Sequence, residues 1–255
     1  MIDWGRLTLL LYILMRMSGF VLFSPLFGRT NFPAIFRSGM ILVLTWAVYG
    51  FTGGTAAIPA NLVEFVVKLA LELGIGYLIG MTVQFFFYLI PQQAGELIDN
   101  QMALTMSKEY DPGSQASMSV TSTLLTTLMI LLFFAANGQN TLLRILLSSG
   151  NIVPYGAVSL GRDVMSAMAQ LFIECIVLAV KLALPILAAE LLGQLGMGIL
   201  MKVIPQINVF AINIELKMII GLGLLLMFMS PISEYLLNVE NRMLTVVQSM
   251  LTLAG

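Results

Sequence analysis

The sequence predicts an all-α, membrane-associated protein, and three observations carry that prediction. Of 255 residues, 59% are hydrophobic and 10% are charged, against about 25% charged in a soluble domain. Mean hydropathy is +0.97. Apolar runs near the length of a bilayer span recur along the chain, and turn signals separate them. A soluble domain of this composition would leave much apolar surface in water, so a soluble enzyme and a disordered chain are both excluded.

Seven apolar helical segments are expected, in one domain over 1–255: Leu7–Phe27, Ile35–Phe51, Leu62–Ile90, Val120–Phe134 continuing to Leu147, Val164–Leu192, Met218–Met229 with its preceding turn, and Tyr235–Leu253. The breaks between them hold Pro25 to Pro33, Thr52-Gly53-Gly54, Pro91 to Gly113, Ser148 to Gly156, Gly193 to Pro205, and Ser230-Pro231. The apolar start contains Arg16 and no small-residue cleavage site follows, so no cleavable signal peptide is expected. Lys and Arg are scattered, and the loop asymmetry that sets membrane orientation is weak.

Two segments have the wrong length for simple spans. Leu62–Ile90 has 29 residues, which is roughly 43 Å of helix against a hydrocarbon core of about 30 Å. Val164–Val203 reads as a long helical hairpin, bent at Pro185 and broken near Gly193, Gly196 and Gly198. Breaks at membrane depth need protein or a wet cavity over the exposed backbone.

Charges lie inside the apolar runs and form a candidate buried stripe. Glu64, Lys68 and Glu72 are spaced i, i+4, i+8 and share one helix face, while Glu174 and Lys181 lie two turns apart. A charge at a bilayer centre costs on the order of 3 kcal/mol. Ion pairing along or between packed helices is therefore preferred over an ion or proton path. Gly76-x-x-x-Gly80 is a small-residue pair that lets helix backbones approach. The 18 Met suit surfaces that must repack.

Catalytic chemistry finds few side chains here. There is no His, and the single Cys175 sits in an apolar run. Neither a metal-ligand cluster, a nucleophile elbow nor a phosphate-cradling Gly loop is present, so neither enzyme activity nor a cofactor is expected. The net charge of −1 gives no basic footprint, so a nucleic-acid partner is not expected. Two stretches stand apart from the apolar pattern. Gly95 to Gly113 is polar and ends in Asp-Pro-Gly, and long loops of this kind are often functional. Pro205 to Lys217 is rich in Asn between apolar segments, and Asn amides can bond backbone groups freed at a helix break.

Together these stretches resemble the FliR family of flagellar biosynthesis proteins and its counterparts in type III secretion export gates. The matching residues are Gly95-Glu96-x-x-Asp99-x-Gln101-Met102, Asp111-Pro112, Asn137-Gly138 and Pro205-Gln206-x-Asn208-Val209-Phe210, with Arg16, Pro25-Leu26-Phe27-Gly28 and Pro33 near the start. The likeness covers nearly the whole chain. It implies long, broken helical hairpins that pack with partner subunits around a central channel in the bacterial inner membrane, within a flagellar basal body or injectisome base. It implies five copies of a P-type and four of a Q-type subunit beside one copy of this chain. An autocleaving switch subunit, a large export subunit and unfolded protein substrates are the further partners implied. In the family, the loop corresponding to Leu104–Met118 plugs the closed channel. The residues concerned here are Leu104, Met106, Lys108, Glu109, Tyr110, Asp111, Pro112 and Met118, within a loop taken as 91–118. Ala103 stands where a Gly often follows Gln-Met in the family, and Met106, Lys108 and Glu109 stand where family plugs are commonly more aromatic.

The reading that follows is a non-enzymatic export-gate subunit. The alternative from another class is a secondary transporter of a small solute, built on broken helices near 193–208.

Overall fold

The computed structural model describes residues 3–25, 33–104, 109–111, 116–158, 161–203 and 209–255. Nine α-helices run through these residues: α1 Trp4–Phe23, α2 Ala34–Thr52, α3 Leu62–Gln84, α4 Ile90–Gln101, α5 Val120–Ala135, α6 Gly138–Ile152, α7 Arg162–Val203, α8 Val209–Met227 and α9 Met229–Ala254. The expected all-α, membrane-type architecture is present. Its one exception among the described residues is a short antiparallel hairpin between α4 and α5. There β1 (Glu109–Asp111) pairs with β2 (Ala116–Met118), with Glu109 opposite Met118 and Tyr110 opposite Ser117. By length and composition, α1, α2 and α7 can each cross a membrane, and up to five spans result if each bent helix pair counts as one.

The chain folds into two compact units that interleave along the sequence. The first comprises Met1–Phe86, Phe134–Phe172 and Glu240–Gly255. Within it, Asp3 caps α1 by accepting from the Gly5 N–H at 3.2 Å. Helix α1 packs on α3 through the glycines of the small-residue pair. A Cβ on Gly76 would stand 2.0 Å from the Arg16 carbonyl oxygen, and one on Gly19 would stand 2.4 Å from that of Leu73. Only glycine lets two helix backbones meet this closely. Tyr12, Ile13, Met17, Phe20, Ile75 and Ile79 fill the surrounding core. Helix α2 buries only Leu44, Thr45 and Val48, and leaves Ile35, Trp46 and Phe51 exposed.

The second unit comprises Phe87–Phe133 and Ile173–Val239. Phe87 and Phe133 meet edge to face, 5.0 Å between ring centres. Ile90, Ala94 and Ile98 of α4, Leu125 and Met129 of α5, and Ala179, Ala183 and Ile186 of α7 are buried. The Tyr235 hydroxyl donates to the Leu178 carbonyl at 3.0 Å and ties α9 to α7.

Two sequence expectations fail. The segment taken as loop from Pro91 is helical to Gln101, because a π-turn, Phe85–Leu89, joins α3 to α4 and puts Pro91 in the first turn of α4. Proline costs little there, since its missing N–H has no intrahelical partner to lose. The hairpin expected in Val164–Val203 is one unbroken helix of 42 residues, with Pro185 inside it. Each Gly costs about 1 kcal/mol of helix propensity against Ala, too little to break a helix whose apolar setting demands internal backbone bonding. Of the segment near 193–208 on which the transporter reading rests, 193–203 is unbroken helix, and 204–208 lie outside the described residues.

Candidate functional site: a buried ion pair and a clamped hairpin root

Two polar clusters stand out, one in each unit. In the first unit Arg16 is fully buried in α1. Its Nε donates to Glu72 Oε2 at 2.7 Å, Nη1 to Ser149 Oγ at 3.3 Å and Nη2 to the Val153 carbonyl at 3.1 Å. The guanidinium also lies 4.2 Å from the centre of the Tyr155 ring. Glu72 Oε1 accepts from the Gly156 N–H at 2.8 Å. Gly156 has φ 82, and a Cβ there would stand 2.9 Å from the Tyr12 ring, so this turn needs glycine twice over. Each guanidinium nitrogen and each carboxylate oxygen of the pair has a partner, so the cluster fastens α1, α3, α6 and the turn at Val153–Gly156 together. It offers no base and no nucleophile.

The expected charge stripe divides. Glu64 and Lys68 pair at 2.7 Å with side chains 40% and 26% exposed, while Glu72 leaves them for Arg16. The hydrogen bond from Lys68 holds the Glu64 carboxyl below its ordinary range, and the same bond raises Lys68. Glu174 is half-buried and Lys181 exposed. Of the five residues taken as a buried stripe, Glu72 alone is buried. A charge that can stay wet at a helix end or along a flexible arm avoids the cost of desolvation. The signal for Arg16 was in the sequence: the stripe holds two acids and one base, and Arg16 is the lone base in the neighbouring apolar run.

In the second unit the family motif forms the root of the hairpin. Gly95 and Asp99 are one turn apart on α4 and both meet the first turn of α5. A Cβ on Gly95 would stand 2.3 Å from the Ser122 nitrogen. Asp99 is buried, and its carboxylate accepts from the Thr121 N–H at 3.1 Å and from the Thr121 hydroxyl. A carboxylate there satisfies an open N–H and faces the positive end of α5. Ser119 adds a cap by accepting from the Ser122 N–H at 3.3 Å, and the Ser122 hydroxyl donates to the Gln92 carbonyl at 2.8 Å. Ser119, Thr121 and Ser122 escaped the sequence reading, although Ser-Val-Thr-Ser before an apolar run is a helix-start signal.

Glu96 and Gln101 are half-buried on α4. The helix ends at Met102, and Ala103 follows with φ 61, a left-handed conformation that favours glycine. Leu104 is half-buried in the turn after it. For Glu109, Tyr110, Asp111 and Met118 the structure gives the strand pairing above. Met106, Lys108, Pro112, Pro205 and Asn208 lie outside the described residues, as do residues 26–32. Val209 and Phe210 open α8. Among the described residues, no three His, Cys, Asp or Glu side chains are grouped to hold a metal ion.

Fold and site thus define an all-α membrane protein whose mid-chain hairpin is clamped at its base by a Gly–Asp pair. The chain belongs to the bacterial export proteins, family 1, which matches residues 7–243. It is 28% identical over 222 residues to the flagellar biosynthetic protein FliR of Escherichia coli (strain K12), covering 85% of this chain and 82% of that one. It is 26% identical over 212 residues to the protein of the same name from Bacillus subtilis (strain 168), covering 82% and 81%. Yop proteins translocation protein T of Yersinia pestis is 26% identical over 219 residues, covering 85% and 84%.

Proposed function

We propose that this chain is a non-enzymatic subunit of the type III protein export gate in the bacterial inner membrane, and that residues 104–118 close its channel at rest. It assembles as one copy with P-type and Q-type subunits, beside the switch and large export subunits, and passes unfolded protein chains, most simply flagellar ones. Membership of the export family supports the first part. Relatives named for flagellar biosynthesis and for Yop translocation support a secretion role on either branch. The observation that carries the closing role is the clamped root, where Gly95 and Asp99 join the end of α4 to the start of α5 on either side of the hairpin. Closing and opening then require no change in how α4 and α5 are joined. The exposed apolar faces of α2 and α7 suit burial against neighbouring subunits or lipid.

The test is ion leakage. Met106 and Tyr110, both changed to Ala, should raise ion flux in cells, or conductance of the purified gate in a bilayer, while a native gel shows the complex intact. A gate that assembles with both changes and leaks no more than the unaltered one would remove the closing role and leave the family assignment standing.

A further inference from the structure

In the first unit, α6 and the second half of α9 turn a different surface outward from most of the chain. Helices α1, α2, α3, α5, α7 and α8 all leave large apolar side chains exposed, among them Leu22, Trp46, Val63, Leu131, Leu195 and Leu226. On α6 no such side chain is exposed, and on α9 only Leu253 is. Past Glu240, α9 exposes Asn241, Arg242, Thr245, Gln248, Ser249 and Thr252 at helical spacing, opposite the buried Met243, Val247, Met250 and Leu251. On α6, Asn140, Thr141, Arg144 and Asn151 are exposed opposite the buried Leu142, Ile145 and Leu146. The two helices meet at their C-terminal ends, where a Cβ on Gly255 would stand 3.1 Å from the Ile152 carbonyl oxygen.

Lipid suits this surface poorly. Helix α9 has 26 residues, roughly 39 Å against a hydrocarbon core of about 30 Å, yet it is not one of the helices that can cross a membrane alone. Its hydroxyls are already occupied. Those of Thr245, Ser249 and Thr252 donate to the Asn241, Val246 and Ser249 carbonyls of their own helix at 3.1, 2.8 and 2.8 Å. The face holds two arginines, and neither an exposed acid nor an aromatic ring lies on it. Such a surface is wet but not adhesive. An unfolded chain moving over it meets no large apolar patch and few open hydroxyl donors. The apolar faces of α2 and α7 would hold that chain, and they suit lipid or neighbouring subunits instead.

We propose that the polar faces of α6 and of the second half of α9 are this subunit's share of the wall of the water-filled passage, the surface along which an unfolded substrate slides. This assignment rests on the gate reading and names the part of the chain that meets the substrate.

The experiment uses the full chain assembled with P-type and Q-type subunits in membranes. One variant at a time is compared: Asn140→Cys, Thr245→Cys and Gln248→Cys on the polar faces, and Val180→Cys and Leu195→Cys on the exposed apolar face of α7. The buried Cys175 stays in place, and the unaltered chain gives its background. A small, charged, membrane-impermeant thiol reagent needs a thiolate in water, so the first three should react about tenfold faster than the α7 pair. A maleimide carrying a bulky polymer should not reach them, and a substrate stalled in the gate by a folded fusion domain should block the small reagent. Thiols that stay unreactive in the assembled gate overturn the assignment by placing a subunit or lipid over the face. Thiols that react with small and bulky reagents alike overturn it by placing the face in bulk water. Should the cysteine variants fail to assemble, Gln248→Lys decides. Water accepts the added cation, so this variant should assemble at the unaltered level while Leu195→Lys does not; loss of Gln248→Lys from the complex overturns the assignment. An unaltered chain that does not co-purify with P-type and Q-type subunits removes the gate reading itself, whereas one that co-purifies with shielded thiols removes this assignment alone.

Discussion

Glu72 and Glu190 are both carboxylates buried in apolar helices, at 0% and 3% exposure. Glu72 has a guanidinium on one oxygen and a backbone N–H on the other, and its partners come from elements far apart in sequence. Glu190 has a packed notch, a narrow cleft and a lysine across it. The first is a closed arrangement that fixes a fold, and in the second neither oxygen has a hydrogen-bond partner among the described residues. Burial alone therefore says little about what an acid does inside a membrane protein; the count of satisfied lone pairs separates the cases.

The largest expected effect breaks the closed cluster. Arg16→Met leaves Glu72 without its cation and should cost about 3–5 kcal/mol, seen as loss of the full-length chain from membranes. Changing Glu72 to Met as well should restore part of it; a double variant as poor as Arg16→Met would mean that Arg16 matters for reasons other than the pair. Next comes the backbone contact beneath it. Gly76→Ala drives a methyl into α1 at Arg16 and should cost about 1–3 kcal/mol. Gly193→Ala, with open space around it, should be neutral or gain up to about 1 kcal/mol. Equal losses at the two glycines, by thermal precipitation, would contradict the α1–α3 contact.

At the hairpin root, Asp99→Ala removes a cap from α5 and should cost about 1–2 kcal/mol. Asp99→Asn, which keeps one acceptor, should fall between. Protease sensitivity between α4 and α5 is the measurement, and an unchanged cleavage rate for Asp99→Ala would show that Gly95 alone holds the root. The smallest effect is at the exposed pair, where Lys68→Ala should leave assembly unaltered because both side chains are partly wet. Glu64 has a folded pKa below its ordinary 4.5. Its small contribution is therefore present above pH 4.5 and is lost as pH falls through the lower folded value. A pH-dependent stability change centred near neutrality would not come from this pair.

Much of the helical layout was legible, because apolar run length and turn residues act locally. Leu62, Val120 and Ile35 lie within a residue of helix starts read from the sequence. What escaped was non-local or compensated. Pro91 signals a break, yet a π-turn upstream makes it harmless. Gly193, Gly196 and Gly198 signal a break, yet a 42-residue helix absorbs them. The two units draw on three and two separate stretches of chain, so no shift of composition along the sequence marks where one yields to the other. Of the site, Gly95 and Asp99 were visible as a motif, while their seat on Thr121 and Ser122 required knowing that α5 returns to α4.

That seat has a mechanical consequence. With the Gly95 backbone against Ser122 and Asp99 bonded to Thr121, the last turns of α4 and the first turn of α5 are joined side by side. Ala103, at φ 61, is where the chain turns away from α4. Any force on the chain between Met102 and Ser119 therefore meets α4 and α5 already joined to each other at its base.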